Sequence, residues 1–220
     1  MQARLKTLIS TRFIDRVVSK YAPLLYIRLI SAFTAIPGII NTYLYQFLYA
    51  RSFVVGQKWS IWGRYKLFIV APGKMIVGSG FRCNSSQERA FFTLDGPTTF
   101  SVLGGDLVIG DNVAISGSSL YCTNRIAIGD RVMIAPGCII CDTDNHSVDY
   151  PSKRWSMVGK SKPISIDSDV WLGARCMVFK GVRVGKGSVL AAGSIVTRDI
   201  PPGVLAAGAP ATVVRALKEA

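Results

Sequence analysis

The sequence predicts an all-β solenoid of stacked three-sided coils, preceded by a basic and apolar helical segment. Two observations lead to this fold class. From about residue 67 onward an aliphatic residue recurs every six positions, and before that point the chain is rich in basic residues and long apolar runs. We therefore divide the 220 residues into a helical segment, 1–66, and a repeat domain, 67–220.

The six-residue repeat covers three runs of positions, with Tyr121 as the one non-aliphatic member. These positions are Ile109, Ile115, Tyr121; Ile128, Ile134, Ile140; and Ile166, Leu172, Val178, Val184, Leu190, Val196. A helix or a half-buried strand would give a period of about 3.6 or 2 instead. One inward aliphatic and one small residue in each six make a short strand and a tight corner. Three such units close a triangular coil, and the coils stack because one alone cannot bury its apolar face.

The five cysteines fit this repeat as small interior residues. Cys138 and Cys176 occupy its small position, Cys122 and Cys141 follow a repeat position, and Cys83 extends the aliphatic positions backward. The C-x-x-C formed by Cys138 and Cys141 has no second pair, which a structural zinc site of that type needs. We therefore expect five structural thiols and no metal site.

The helical segment carries most of the positive charge. Residues 1–66 contain ten Lys or Arg against Asp15, which is +9 of the net +13. Basic residues interleaved with apolar runs indicate contact with an anionic membrane surface and not with nucleic acid. The uncharged stretch 29–50 is long enough to cross a bilayer. Pro37 and Gly38 at its centre and basic flanks on both sides favour an interfacial or re-entrant helical pair broken at Pro37. A true span, or soluble helices packed on the body, are the alternatives, and no clear signal-peptide cleavage site follows the stretch.

His146 is the single histidine of the chain and lies where the repeat breaks, at residues 146–163. An ordinary solvated loop histidine is one interpretation. The other is a general base, because imidazole titrates near neutral pH and excursions from a rigid scaffold commonly carry functional sites. Three nearby acids could orient the ring, and the sequence does not choose among Asp142, Asp144 and Asp149.

The stretch from Lys162 to Ala220 carries a family resemblance. It contains the elements DVWLG, GSIVTRDIPP and GAPA. These resemble the hexapeptide-repeat acyltransferases, in the branch of the galactoside, maltose and polysaccharide O-acetyltransferases, and the resemblance covers about residues 67–220. It implies a left-handed parallel β-helix, a homotrimer with its sites between subunits, acetyl-CoA as co-substrate, and a catalytic histidine at the place of His146.

The resemblance also implies which residues contact acetyl-CoA. Ala174 departs from the serine of the galactoside enzymes, so only its backbone could serve, and the backbone N–H near Gly173–Ala174 is the candidate oxyanion donor. Arg198 and Arg215 suit the phosphates and the adenine end, with ordinary solvated arginines as the alternative. The matching positions are Trp171, Ala174, Ala192, Thr197, Arg198 and Arg215.

The activity implied is direct O-acetylation of a sugar hydroxyl in a ternary complex. The acceptor would be a surface polysaccharide (lipopolysaccharide, capsule or exopolysaccharide) or its lipid- or nucleotide-linked precursor, at the cytoplasmic face of the membrane. One alternative is N-acetylation of a nucleotide-linked amino sugar, although no preceding nucleotide-binding domain is evident. A second is a non-catalytic scaffold, against which His146 speaks. A γ-type carbonic anhydrase needs three zinc-binding histidines and is excluded by the single His.

Overall fold

The structure is a computed structural model that describes residues 35–87, 96–155 and 159–218. These residues form a parallel β-helix whose strands visit three sheets in turn, so that each coil contributes one strand to each sheet. Strands pair in parallel with the strands of the next coil, and the final pair is antiparallel. The prediction of a mostly β, parallel solenoid is confirmed.

The strands divide among the three faces of the solenoid. The first sheet contains β1 (Phe53–Val55), β4 (Lys74–Val77), β7 (Asp106–Ile109), β10 (Arg125–Ile128), β13 (Ile164–Ile166) and β16 (Arg183–Val184). The second contains β2 (Ser60–Trp62), β5 (Arg82–Asn84), β8 (Ala114–Ser116), β11 (Met133–Ile134), β14 (Trp171–Leu172), β17 (Val189–Leu190), β19 (Val204–Gly208) and β20 (Ala211–Ala216). The third contains β3 (Lys66–Val70), β6 (Thr99–Leu103), β9 (Ser119–Cys122), β12 (Ile139–Cys141), β15 (Met177–Phe179) and β18 (Ile195–Val196).

The core consists of ladders of inward side chains stacked from coil to coil. In the second sheet consecutive strands place one buried residue directly on the next, in the order Ile61, Cys83, Ile115, Ile134, Leu172, Leu190. Each fully buried aliphatic side chain stabilises the fold by about 1.5–3 kcal/mol. The register confirms the six-residue repeat and places Cys83 at the aliphatic position that the sequence predicted.

The repeat slips by one residue in the third coil, which explains the exception at Tyr121. Leu120 is the buried residue there and pairs with Ile140, whereas Tyr121 is only half-buried and pairs with Cys141. The preceding corner passes through Gly117 at a positive φ of 42°, and it is one residue shorter than the others. The assignment of Tyr121 to a repeat position was therefore wrong.

Four of the five cysteines are buried, and Cys141 is only half-buried on the outer side of β12. Two of the interior thiols donate to backbone carbonyls: Cys138 Sγ to Gly173 O at 3.2 Å and Cys176 Sγ to Ala191 O at 3.1 Å. Burial raises the pKa of Cys83 to about 11 and the pKa of Cys122 to about 12. Among the described residues no group of three His, Cys, Asp or Glu side chains gathers in a metal-binding arrangement.

We expect an aromatic disulfide reagent at about pH 8 to label at most Cys141 in the folded protein, because the other four thiols are buried and out of reach of the reagent. Unfolding in denaturant should make all five thiols titrate. Cys141→Ser should leave no labelling in the folded state. Rapid reaction of two or more thiols, or stoichiometric zinc by elemental analysis, would contradict structural roles for these cysteines.

A helix covers the N-terminal end of the β-helix. Residues 35–48 are helical and pack on the first coil. Thr42 of the helix is buried, and the hydroxyl of Tyr65 on the first coil donates to Thr42 Oγ1 at 3.2 Å. Burial raises the pKa of Tyr65. Asn41 Nδ2 donates to Tyr65 O at 2.6 Å, which satisfies a carbonyl that has no preceding coil to pair with. The helix is thus the cap that an open solenoid end requires.

Two expectations for the N-terminal segment differ from the structure. The first coil begins at Phe53, inside the segment assigned as helical. The repeat was not recognisable there because bulky residues such as Tyr65 replace the small ones. The helix is also continuous through Pro37 and Gly38 from residue 35, so the break predicted at Pro37 is wrong for this range. Gly38 permits close packing, since a Cβ there would lie 2.6 Å from Ile61 O.

No helix in the described ranges is both long and apolar enough to cross a membrane. Residues 1–34, including the first part of the uncharged stretch 29–50, lie outside the described residues. The choice between an interfacial and a spanning segment therefore stays a prediction for that part of the chain.

Candidate functional site

The candidate site is built on an excursion of residues 142–163 between β12 and β13, at the corner that joins the third sheet to the first. Asp142 anchors it. Its buried carboxylate accepts hydrogen bonds from Thr123 N at 2.8 Å, Thr123 Oγ1 at 3.0 Å and Asn124 N at 2.8 Å. The chain returns to this point, where Lys162 N donates to Asp142 O at 3.0 Å. One residue thereby ties the excursion to the coil below.

The backbone around His146 is held in a tight turn. Asn145 has a positive φ of 60°, a conformation that asparagine tolerates better than most residues. Gly159 passes so close that an added Cβ would lie 2.8 Å from the nitrogens of Asn145 and His146. Only glycine fits there, and its N–H donates to Asn145 O at 3.2 Å. The returning strand of the excursion therefore fixes the position of His146.

The imidazole of His146 is oriented by a backbone carbonyl. Its Nδ1 lies 3.0 Å from Arg154 O. Because a carbonyl can only accept, Nδ1 carries the proton in this contact, and in the neutral ring Nε2 keeps its lone pair. The side chain is exposed, and the indole of Trp155 meets it edge to face at a centroid distance of 5.5 Å. This is the protonation pattern that a general base needs.

None of the three acids weighed from the sequence orients the ring. Asp142 is engaged with Thr123 and Asn124, Asp144 Oδ1 pairs with Lys180 Nζ at 2.5 Å, and Asp149 Oδ2 pairs with Lys160 Nζ at 2.9 Å. The Arg154 carbonyl takes that role. The sequence did not predict the role of this carbonyl, because a backbone acceptor leaves no side-chain signal. It did not predict a role for Trp155 either, although a tryptophan in a polar loop is a recognisable signal.

The ion pair of Lys180 with Asp144 should position the loop that carries His146. Both side chains are mostly buried, and Lys180 follows β15 in the next coil, so the pair joins the excursion to the solenoid. We expect Lys180→Met to lower kcat about tenfold with little change in KM, because small displacements of a catalytic group are costly. Lys160→Met removes the exposed pair of the same loop and should change kcat by about twofold or less. Equal effects of the two variants would contradict a positioning role for Lys180.

The residues expected to contact acetyl-CoA fall into two groups. Trp171, Ala174, Ala192 and Arg215 lie on the second sheet or on the corner that joins it to the third sheet. Trp171 is 47% exposed and shares an outward column with Arg215, three strands away or about 14 Å. Small residues leave this corner open, since a Cβ added at Gly193 would meet nothing within 4 Å. These positions leave room for an extended ligand.

The second group lies apart from the first. Thr197 and Arg198 are exposed at the far end of β18, on the same corner as the excursion. Ala192 precedes β18 and Arg198 follows it, so the two residues lie at opposite ends of the strands of the third sheet. The structure does not bring all six positions together within one chain.

Of the two backbone amides considered as the oxyanion donor, only one is available. Gly173 N donates to Leu190 O at 2.8 Å and is therefore occupied by the coil ladder. In the described ranges the neighbouring Ala174 amide has no carbonyl partner, and Ala174 is half-buried at the corner. The expectation of a donor at Gly173 is corrected, and Ala174 is the amide that remains.

His146 and Ala174 lie at opposite ends of the strands of the third sheet. Ala174 precedes β15, whereas the excursion follows β12, which is paired with β15. The two ends are separated by about 15 Å, the length of the face with its corners. A reacting group cannot contact both within one chain, so a site that uses both needs a second copy.

Comparison with known proteins finds similar sequences and structures. Residues 163–198 match the profile described as the hexapeptide repeat of succinyl-transferase. The chain is also 36% identical over 124 residues to the galactoside O-acetyltransferase of Escherichia coli strain K12, a match of 56% of this chain and 60% of that protein. The chain thus carries a hexapeptide repeat and is similar to known acetyltransferases. It spans between 44% and 62% of the length of the first three curated relatives that it matches.

Solved acyltransferases share the fold. The polySia-specific acetyltransferase NeuO is 25% identical, with a TM-score of 0.56 over 76% of this chain and 83% of that one. The N-acyltransferase AntD from Bacillus cereus, solved with dTDP-4-amino-4,6-dideoxyglucose and coenzyme A, is 21% identical. Its TM-score is 0.61, over 79% of this chain and 89% of that one. The curated relative named for its activity and both solved proteins are acyltransferases.

Proposed function

We propose that this protein is an acetyl-CoA-dependent O-acetyltransferase that acetylates a sugar hydroxyl. The observation that carries the proposal is His146, whose Nδ1 is held by Arg154 O at 3.0 Å and whose Nε2 is left to accept a proton at an exposed position. The similarity to a galactoside O-acetyltransferase supports oxygen as the acceptor atom. Acetyl-CoA is the donor that the similarity to acetyltransferases favours, and AntD was solved with coenzyme A.

The reaction follows from this arrangement as direct transfer. His146 Nε2 removes the proton of the sugar hydroxyl as its oxygen attacks the thioester carbonyl carbon. The Ala174 N–H of a neighbouring copy donates to the oxyanion that forms. When the carbon–sulfur bond breaks, the imidazolium returns the proton to the departing sulfur, so the products are an acetyl ester and a free thiol. No residue of the protein becomes acetylated, which agrees with the structural roles of the cysteines.

We propose a homotrimer with the site between subunits, because His146 and Ala174 lie at opposite ends of the third sheet. The excursion of one copy would face the open corner at Ala174, Ala192 and Gly193 of the next. Trp171 and Arg215 line the same sheet and would contact the donor, with the arginine toward its phosphates. Thr197 and Arg198, which share the corner of the excursion, would contact the donor held by the adjacent copy.

Trp155 supports a sugar as the acceptor. Its indole is 95% exposed next to His146, and a large exposed aromatic ring beside a catalytic group offers a flat apolar surface to the C–H face of a sugar. The likeness to NeuO favours a surface polysaccharide or its lipid- or nucleotide-linked precursor. The contact of residues 1–66 with an anionic membrane would hold the enzyme at the cytoplasmic face. We also propose that the coils wind with the left-handed sense that the family resemblance predicts.

We expect Trp155→Ala to raise KM for the acceptor about tenfold, since the lost stacking surface contributes on the order of 1 kcal/mol. KM for acetyl-CoA should stay near its original value. Trp155→Phe keeps an aromatic face and should retain most of the acceptor affinity. A change confined to the KM of acetyl-CoA would show that Trp155 serves the donor instead.

The proposal is tested by incubating the protein with labelled acetyl-CoA and a panel of lipid-linked and nucleotide-linked glycans, read by mass spectrometry. We expect one acetyl group on a hydroxyl, in an alkali-labile ester. Transfer to an amine in an alkali-stable amide would establish the alternative N-acetyltransferase. That alternative is motivated by AntD, which was solved with a nucleotide-linked amino sugar. Binding of acetyl-CoA without transfer to any acceptor would favour a non-catalytic scaffold.

A further inference from the structure

We propose that the capped end of the β-helix docks on an anionic lipid bilayer, with the outward face of helix 35–48 in the membrane interface. This deepens the proposed membrane contact by naming its surface and orientation, and it does not depend on the acetyl-transfer chemistry. The outward face, which we name the cap stripe, is strongly exposed: Ile36 is 54%, Ile40 62%, Tyr43 62%, Leu44 49% and Phe47 82% exposed.

The cap stripe occupies one side of the helix. At about 100° per residue, its five members fall within an arc of roughly 100°. The residues that pack on the first coil lie on the opposite side, where Asn41 contacts Tyr65 and Thr42 is fully buried. The inner face already covers the end of the solenoid. The outer apolar face is therefore not needed for the core.

Basic residues surround the cap stripe. Arg51, Lys58 and Arg64 precede β1, β2 and β3 respectively, so each corner of the first coil carries one exposed cation. Between Asp15 and Glu88 the sequence contains no acidic residue. Trp59, partly buried, contacts Tyr43 edge to face at 6.1 Å, and such amphipathic rings favour the headgroup level of a bilayer. An apolar stripe inside a ring of cations is complementary to an anionic lipid surface.

The same charges disfavour two other possible partners of the cap stripe, a second copy of the chain and residues 1–34. Residues 35–87 carry six Lys or Arg and no acid, so two copies docked cap to cap would bring +6 against +6. Residues 1–34 carry six Lys or Arg and Asp15, a net of +5, and would be repelled in the same way. A negatively charged bilayer is instead attracted, each basic residue near the surface strengthening binding about fivefold.

Docking through the cap sets the height of the candidate site above the membrane. The excursion with His146 follows β12 in the fourth coil, three coil spacings or about 14 Å from the first. The helix adds about 10 Å. His146 would therefore lie about 25 Å from the lipid surface, which suits a glycan that extends from its lipid anchor and not a sugar attached directly to it. This consequence for the acceptor rests on the proposed function.

The test uses the full chain with vesicles of phosphatidylcholine alone or mixed with phosphatidylglycerol, read by co-sedimentation. We expect binding to the mixed vesicles, weakened by salt. The stripe variant I40E/F47E should weaken it at least tenfold, and the corner variant R51Q/K58Q/R64Q should do the same while flattening the salt dependence. Val214→Glu alters a residue that is 59% exposed at the other end of the solenoid and serves as the matched control.

The result that would overturn the proposal is unchanged vesicle binding by the stripe variant. If removal of residues 1–34 alone abolishes binding, those residues carry the contact and not the cap. If the stripe variant instead shifts the oligomeric state in solution, the face is an interface between copies. Thermal unfolding of the stripe variant should match the parent, because its substituted side chains are exposed. Acetyl transfer to a soluble acceptor should also be unchanged, so a failure of membrane docking is distinguishable from a failure of the proposed function.

Discussion

Replacement of His146 by alanine is expected to lower turnover by about 10²–10⁴, with acetyl-CoA affinity near its original value. A sugar hydroxyl is a weak nucleophile at neutral pH, and loss of Nε2 removes the group placed to accept its proton. The fold should be unaffected, since the side chain is exposed and its one hydrogen bond is to a loop carbonyl, Arg154 O. Single-turnover rates at saturating acceptor, together with acetyl-CoA binding by calorimetry, check both parts.

Two further variants separate the base from its surroundings. His146→Asn can still donate to Arg154 O but has no basic nitrogen, so its turnover should be as low as that of the alanine variant. Val148→Ala changes an exposed residue of the same loop and should keep turnover within about twofold. Near-normal turnover in His146→Asn would show that orientation of the loop matters and proton transfer at this residue does not.

Asp142→Ala is expected to lower the free energy of unfolding by about 3–5 kcal/mol. The carboxylate is fully buried and accepts three hydrogen bonds, two of them from the backbone N–H groups of Thr123 and Asn124. Removal leaves two backbone donors at this partly buried corner without the carboxylate that pairs with them, and it loosens the base of the excursion. We therefore also expect turnover to fall, because His146 is carried by the same excursion.

Chemical denaturation of the Asp142 variants measures this effect. Asp142→Asn keeps one acceptor oxygen and should lose less stability than the alanine variant. Asp130→Ala is a matched control at another corner, where a half-buried carboxylate accepts one backbone hydrogen bond, from Asp111 N at 2.8 Å, and should cost about 1 kcal/mol. If the Asp142 and Asp130 variants lose equal stability, Asp142 is an ordinary corner residue and the excursion is anchored elsewhere.

The ladders of the β-helix were predictable because they repeat a local pattern. Ile134, Leu172 and Leu190 were each assigned to a repeat position from spacing alone, and in the structure they stack directly on one another. The start of the solenoid at Phe53 was not predictable in this way, since its first coil has bulky residues in place of small ones. The slip at Leu120 was also hidden, because a leucine and a tyrosine side by side satisfy the same apolar pattern.

The candidate site was likewise predictable only in part. His146 was identifiable as the single histidine at the break in the repeat. The group that orients it was not, because three acids lay nearby in sequence and each proved to be engaged elsewhere. Asp142 bonds to Thr123 and Asn124, and Asp144 pairs with Lys180. A loop of this length can place many carbonyls near a ring, and only its actual path selects Arg154 O.

Three features of this chain could be predicted from its residues: the winding into stacked three-sided coils, the concentration of charge before the repeats, and the one histidine that marks the excursion. These are properties of spacing and composition, which act over a few residues at a time. The folded arrangement was needed to show that helix 35–48 caps the solenoid with its apolar stripe outward. It was also needed to show that His146 and Ala174 stand at opposite ends of one sheet. Those relations join residues far apart in the chain, and they depend on which coil each corner reaches when the solenoid closes.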